Sequence, residues 1–177
     1  MTREEIEKKL AGLPVCEYAF IRTKDLPFRE EVRYICQTEC PQYGKSWSCP
    51  PAVGSVEECK ERCMNFREGI LFTTAAEDVD TENMSAMLAT RLAHGKITRQ
   101  LRDALKEEGG EVLTLSAESC ALCEQCSWPD APCRFPDRML PCIESYGILV
   151  TELAEKYGLT FFAGGGLVIW FGLILYS

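Results

Sequence analysis

The apolar positions of the chain alternate between a helical rhythm and an extended one, and each switch marks an element. The first eleven residues read as a helix, with Thr2 placed as its N-cap and Glu5 three residues on to complete a capping box. Cys16 to Thr23 (CEYAFIRT) has the look of a short strand, closed near Pro27. Ser55 is placed to cap a helix over VEECKERCMNF that stops before Gly69, and Ile70 to Ala75 forms a compact apolar strand. Between about Asn83 and Glu108, Met84, Leu88, Leu92, Ile97, Leu101 and Leu105 make a stripe at helical spacing. The stripe slips near His94 and Gly95, which predicts one kinked helix or two. Gly109 and Gly110 end it, and Val112 to Leu115 returns as a strand. Glu144 to Tyr157 reads as a helix stopped at Gly158, and the tail LTFFAGGGLVIWFGLILYS as two strands around a triple-glycine turn. The sum is an α+β fold: a mixed sheet packed by helices, with two cysteine-rich metal-binding loops.

Those loops are the stretches where the rhythm fails. From Cys36 to Gly54, Pro41, Gly44, Pro50, Pro51 and Gly54 forbid a long helix or a central strand; Cys120 to Cys142 is equally irregular. Composition makes them the centre of interest. The chain has 177 residues, 46% of them hydrophobic and 26% charged, which suits a single metal-binding domain over 1–177 with a core that needs no cross-links. Its 11 cysteines, against one histidine, therefore need another explanation. The charged start MTREEIEKKL lacks the apolar run of a secretory signal, so a cytoplasmic, reducing location is expected, where disulfides do not persist. An odd count also rules out complete pairing. Thiolate ligands for metal are the better explanation.

Charge removes a further class. With 19 basic and 27 acidic residues the net charge is −8, and no basic stripe is available to bind nucleic acid. Tyr157 to Ser177 is uncharged over 21 residues, long enough to cross a bilayer. Three glycines near its middle and the absence of a following Lys or Arg favour a buried strand over a membrane span.

Cys120, Cys123, Cys126 and Cys133 form a C-x2-C-x2-C-x6-C array. Three thiols at intervals of three let one tight loop wrap a polynuclear cluster, as in bacterial ferredoxin loops, although there the last gap is three residues. Zinc more often uses two separated C-x2-C knuckles and stands as the alternative metal. A thioredoxin-like pair at Cys120 and Cys123 fits less well, given the overlapping Cys126 and the prolines that follow. The first segment offers Cys36, Cys40 and Cys49, then Cys59 and Cys63 one helical turn apart. Five candidates exceed the four that one site needs, and Cys16 or Cys142 are further completers. His94 reads as a packing residue, which leaves any fully protein-ligated site dominated by thiolate. Tyr43, Trp47 and Trp128 stand beside cysteines and are candidates to shield a cluster, and Arg134 and Arg138 to offset its charge. Gly164 to Gly166 lacks the Lys-Ser/Thr of a phosphate loop.

YGKSWSCPP at Tyr43–Pro51, together with CALCEQC and PCRFP between Cys120 and Pro136, resembles a family of cysteine-rich prokaryotic proteins common in anaerobes. That family is a domain of unknown function, described as metal-binding. The resemblance spans most of the chain and implies Cys36, Cys40, Cys49, Cys120, Cys123, Cys126 and Cys133 as ligands. The family more often has serine where Cys142 stands, so the resemblance gives Cys142 no role. It names no reaction, and no acid/base dyad, triad or nucleotide motif supplies one. The expected function is that of a 4Fe–4S protein with one or two clusters, transferring electrons for a redox partner that its acidic surface would meet. The alternatives are a structural zinc or partner-interaction module, and a metalloenzyme with an open-site cluster at Cys36, Cys40 and Cys49.

Overall fold

A computed structural model of the chain describes residues 2–177. Helix α1 (Arg3–Ala11) starts from the expected capping box, with the Glu5 amide donating to Thr2 Oγ1 and the Thr2 amide to Glu5 Oε2. Strand β1 (Tyr18–Arg22) follows, then α2 (Glu30–Glu39), α3 (Val56–Met64), β2 (Glu68–Ala76) and α4 (Met84–Glu107). Strand β3 (Val112–Leu115), α5 (Val150–Tyr157) and β4 (Val168–Tyr176) complete the order. The fold is α+β, as the apolar pattern requires, and all three ladders of the sheet are antiparallel in the order β1-β2-β4-β3.

Both faces of this sheet are covered, which explains why GILFTT and FGLILY read as unbroken apolar runs. Ile70, Phe72 and Ile174 point to one side, where Ile6 and Leu10 of α1 and Leu101 and Leu105 of α4 close over them. Leu71, Phe171, Leu173 and Leu175 point to the other, against α5 and the buried cysteines of α3. The cysteine-rich segments lie on this second side, anchored where β3 ends. There the Ser116 amide donates to Pro141 O (2.8 Å) and the Ile143 amide to Ser116 O (3.0 Å).

Three expectations are corrected. The tail holds one strand, β4: β3 covers only Leu173–Tyr176 of its second edge, and residues 159–162 do not pair with the rest. That stretch is tied instead to Glu17, whose carboxylate accepts from the Thr160 amide (3.0 Å) and hydroxyl (3.1 Å). The helix expected from Glu144 is broken: a single 3₁₀ turn (Glu144–Tyr146) ends at Gly147, whose φ of 76° is left-handed, before α5 begins. Residues 30–39 form a helix that carries Cys36, so this cysteine is not in a loop. The apolar stripe of α4 does form one unbroken helix. Only its C-terminal half is buried, while Met84, Leu88 and Leu92 stay exposed.

The slip in that stripe is His94, which is buried under the sheet. Its Nε2 donates to Phe171 O (3.0 Å), which leaves Nδ1 to accept from Thr74 Oγ1 (2.9 Å). Burial pushes its pKa down to about 4 from an ordinary 6.5. The unfolded chain thus takes up this proton near pH 6.5 and the folded chain only near pH 4. The stabilisation from neutral His94 is complete above the upper value and is lost as pH falls through the lower. It amounts to about 3 kcal/mol. Urea titrations of the wild type and His94→Gln at about pH 7 and about pH 4.5 should show a shallower pH dependence in the variant. Equal slopes would count against this account.

Candidate metal centre

The second cysteine segment is folded by polar contacts that bring its last thiol back to the first three. Ser127 O accepts from the Ala131 amide (2.9 Å), and the Ser127 hydroxyl donates to Pro132 O (2.7 Å). Arg134 reaches across to Gln125 O (2.7 Å), so the six-residue return before Cys133 is closed at both ends. Cys120, Cys123, Cys126 and Cys133 consequently border one cavity of about 230 Å³. Each is partly exposed. Trp47 forms part of the wall, set edge-on to Trp128 with ring centres 4.6 Å apart. Its Nε1 donates to Ala131 O (3.1 Å), which fastens the first segment to the second.

The first segment borders a separate cavity of about 430 Å³, to which α2 brings Cys36 and the turns after it bring Cys40 and Cys49. A fourth thiol, Cys142, lies on the same wall. Tyr43 and Pro50 supply apolar lining, and an Arg91–Glu118 ion pair (2.6 Å) stands at the edge. The two cavities are neighbours, since Gln42 borders both. Fully buried Ser48 links them through its hydroxyl oxygen, which accepts from the Cys120 amide (2.8 Å) and lies 3.7 Å from Cys49 Sγ.

Ser48→Ala should leave the Cys120 amide without its partner. The expected cost is about 1–3 kcal/mol, the usual penalty for an unpaired donor at a buried contact. Urea denaturation checks it, and a loss below about 0.5 kcal/mol would contradict the link.

The thiols of each cavity feel one another. Burial raises the Cys36 pKa most, and Cys40, Glu144 and Cys49 add to the effect while Arg33 opposes it. Burial likewise raises Cys120, opposed by amides and reinforced by Cys133 and Cys123. Cys142 is pushed far up, first by burial and then by Glu144 and Cys49. A bound cation would reverse this balance, because coordination deprotonates a thiol outright. Among the described residues, no set of three or more His, Cys, Asp or Glu side chains is gathered tightly enough for a single metal ion.

The remaining cysteines border neither cavity. Cys59 and Cys63 do share one face of α3, and that face is buried in the apolar core between helix and sheet. Burial pushes the Cys63 thiol up to about 12, and Cys59 Sγ accepts from Arg62 (3.0 Å). Cys16 is exposed just before β1. Arg138 lies over the Phe135 ring (5.9 Å), while Arg134 is in the cavity wall. Cys142 is the cavity thiol that spacing alone does not place. It lies 93 positions beyond Cys49, and tertiary contacts, its bridge to Ser116 among them, set it on the cavity wall.

An α+β chain with two thiol-bordered cavities belongs among cysteine-rich metal-binding proteins. More particularly, the model of a family described as predicted metal-binding protein (DUF2284) matches residues 19–176, and the chain is a member of that family. Comparison with curated proteins and with solved structures gives no match. No helix among the described residues is long and apolar enough to cross a membrane.

Proposed function

We propose that the protein is a two-centre iron–sulfur protein that passes single electrons to and from a redox partner in the cytoplasm. The observation that carries this reading is the convergence of Cys120, Cys123, Cys126 and Cys133 on one cavity. A tetrahedral zinc site draws four sulfurs to about 3.8 Å from one another around a 2.3 Å bond, leaving no room between them. Thiols spread around about 230 Å³ suit a polynuclear cluster, in which each thiolate holds a different iron. The donor set therefore fits a 4Fe–4S group, with Cys36, Cys40 and Cys49 serving a second one at the neighbouring cavity. When bound, such a cluster exchanges one electron at a time.

The chain's own residues would set the conditions for that exchange. Trp47, backed by Trp128, supplies apolar wall at the first cavity, and Tyr43 and Pro50 do so at the second. Arg134 places a fixed positive charge in the first wall. Cys120, through its amide contact with Ser48, is connected to Cys49 and the second site. The excess of acidic residues gives a surface suited to brief docking with a basic patch. The test is optical: anaerobic protein should show a broad visible band that dithionite bleaches and air oxidation returns. A colourless protein with stoichiometric zinc would support the structural module instead.

A further inference from the structure

We propose that Cys142 is the fourth thiolate of the second centre, completing the set of Cys36, Cys40 and Cys49. The inference rests on the cluster reading above and adds a ligand to it. Buried cysteines commonly act as small apolar side chains, and Cys59 and Cys63 do so here, within the core. Cys142 behaves differently. Its neighbour Ile143 packs into the apolar core on the α5 side of the sheet, whereas Cys142 lies outside that cluster and on the wall of the cavity.

Three features hold it there. The bridge to Ser116 fixes its backbone at the end of β3. The Ser145 amide donates to its Sγ (3.2 Å), a contact that favours the thiolate and orients the sulfur. Cys36 Sγ lies 4.0 Å from the carbonyl of Glu144, two residues along the chain, so the ends of the ligand set meet across the same short turn. Binding would transfer the Cys142 thiol proton to a solvent base as its sulfur bonds to iron, with no change of oxidation state. Four thiolates would also occupy the coordination positions of a four-iron cluster. The second centre is then an electron-transfer site, and its iron is closed to substrate.

The full chain, reconstituted anaerobically with ferrous and ferric iron in equal amounts and with sulfide, provides the test through metal content and, after dithionite reduction, electron paramagnetic resonance. The wild type should carry about eight irons. Cys142→Ala should lose at least one of them, with a new or missing signal at the second centre and the first unchanged. Added 2-mercaptoethanol should restore the loss, which a packing defect would not permit. If the alanine variant does not fold, Cys142→Ser, close to cysteine in size, should either lose iron or, with its oxygen on the iron, keep it with an altered signal at the second centre. Cys59→Ala, whose thiol lies outside both cavities, should keep the full iron content. A Cys142 variant with two intact clusters and unchanged spectra would overturn this assignment alone. A wild type without iron or sulfide would overturn the cluster reading, and this assignment with it.

Discussion

Replacing Cys123 with serine should remove about half of the bound iron and sulfide and leave the other half in place. Cys123 is one of the three closely spaced thiols that face the first cavity, so its loss opens that ligand set without touching the second. The two sites share the Gln42 wall and the Ser48 hydroxyl, but they have no cysteine in common. The controls follow from burial and position. Cys16→Ser changes an exposed thiol that borders neither cavity, and Cys63→Ala a core thiol that borders neither. Both should retain full metal content. Iron, sulfide and zinc assays on the three variants check the pattern. Loss of all metal from Cys123→Ser would mean a single interdependent site, and loss from Cys63→Ala would bring α3 back into the ligand set.

The largest effect on stability is expected at the centre of the sheet. Phe72 on β2 stands directly opposite Gly172 on β4, and a Cβ at Gly172 would run into the Phe72 ring. The ring is fully buried between the sheet and the α1 and α4 side chains. Phe72→Ala should therefore cost about 3–5 kcal/mol. Gly172→Val, which drives a branched side chain into the same space, should cost about 3 kcal/mol. The two positions compete for one volume, so their effects should not add. Phe72→Leu combined with Gly172→Ala should be less damaging than the sum of the single changes, by about 0.5–3 kcal/mol in a double-mutant cycle. Urea denaturation measures all of these, and strict additivity would show that the ring does not pack on the glycine.

Much of the fold is written locally. Thr2 and Glu5, and Ser55 and Glu58, form capping boxes that mark their helix starts. The apolar runs at β2 and β4 announce strands buried on both faces. Helix α2 is the instructive omission. It buries only Val32, while Tyr34 and Ile35 face outward, so it shows no apolar stripe. It is held mainly by Arg33, which donates to Gly54 O (2.7 Å) and Ser145 O (2.6 Å), partners more than twenty residues away. A helix fixed by long-range polar contacts has little local signature. The tail hairpin is absent for a related reason: Thr160 is held by Glu17, 143 positions away in the chain, and strand pairing is a property of the whole chain.

The site divides along the same line. The C-x2-C-x2-C run makes the thiols of the first cavity visible, because they are close in sequence and border one cavity. The thiols of the second cavity are split between α2, a turn and the segment after β3, so Cys36, Cys40 and Cys49 are readable while Cys142 depends on tertiary structure. The i, i+4 spacing of Cys59 and Cys63 correctly places them on one face of a helix. That spacing carries no information on whether the face meets a cavity or the core, and here it meets the core.

The central claim is that two thiol-bordered cavities each hold a four-iron cluster. The most direct measurement is the content of iron, acid-labile sulfide and zinc in protein purified without oxygen and without added metal. The account predicts about eight irons and about eight sulfides per chain, with zinc well below one. One zinc or more per chain, with no sulfide, would contradict it.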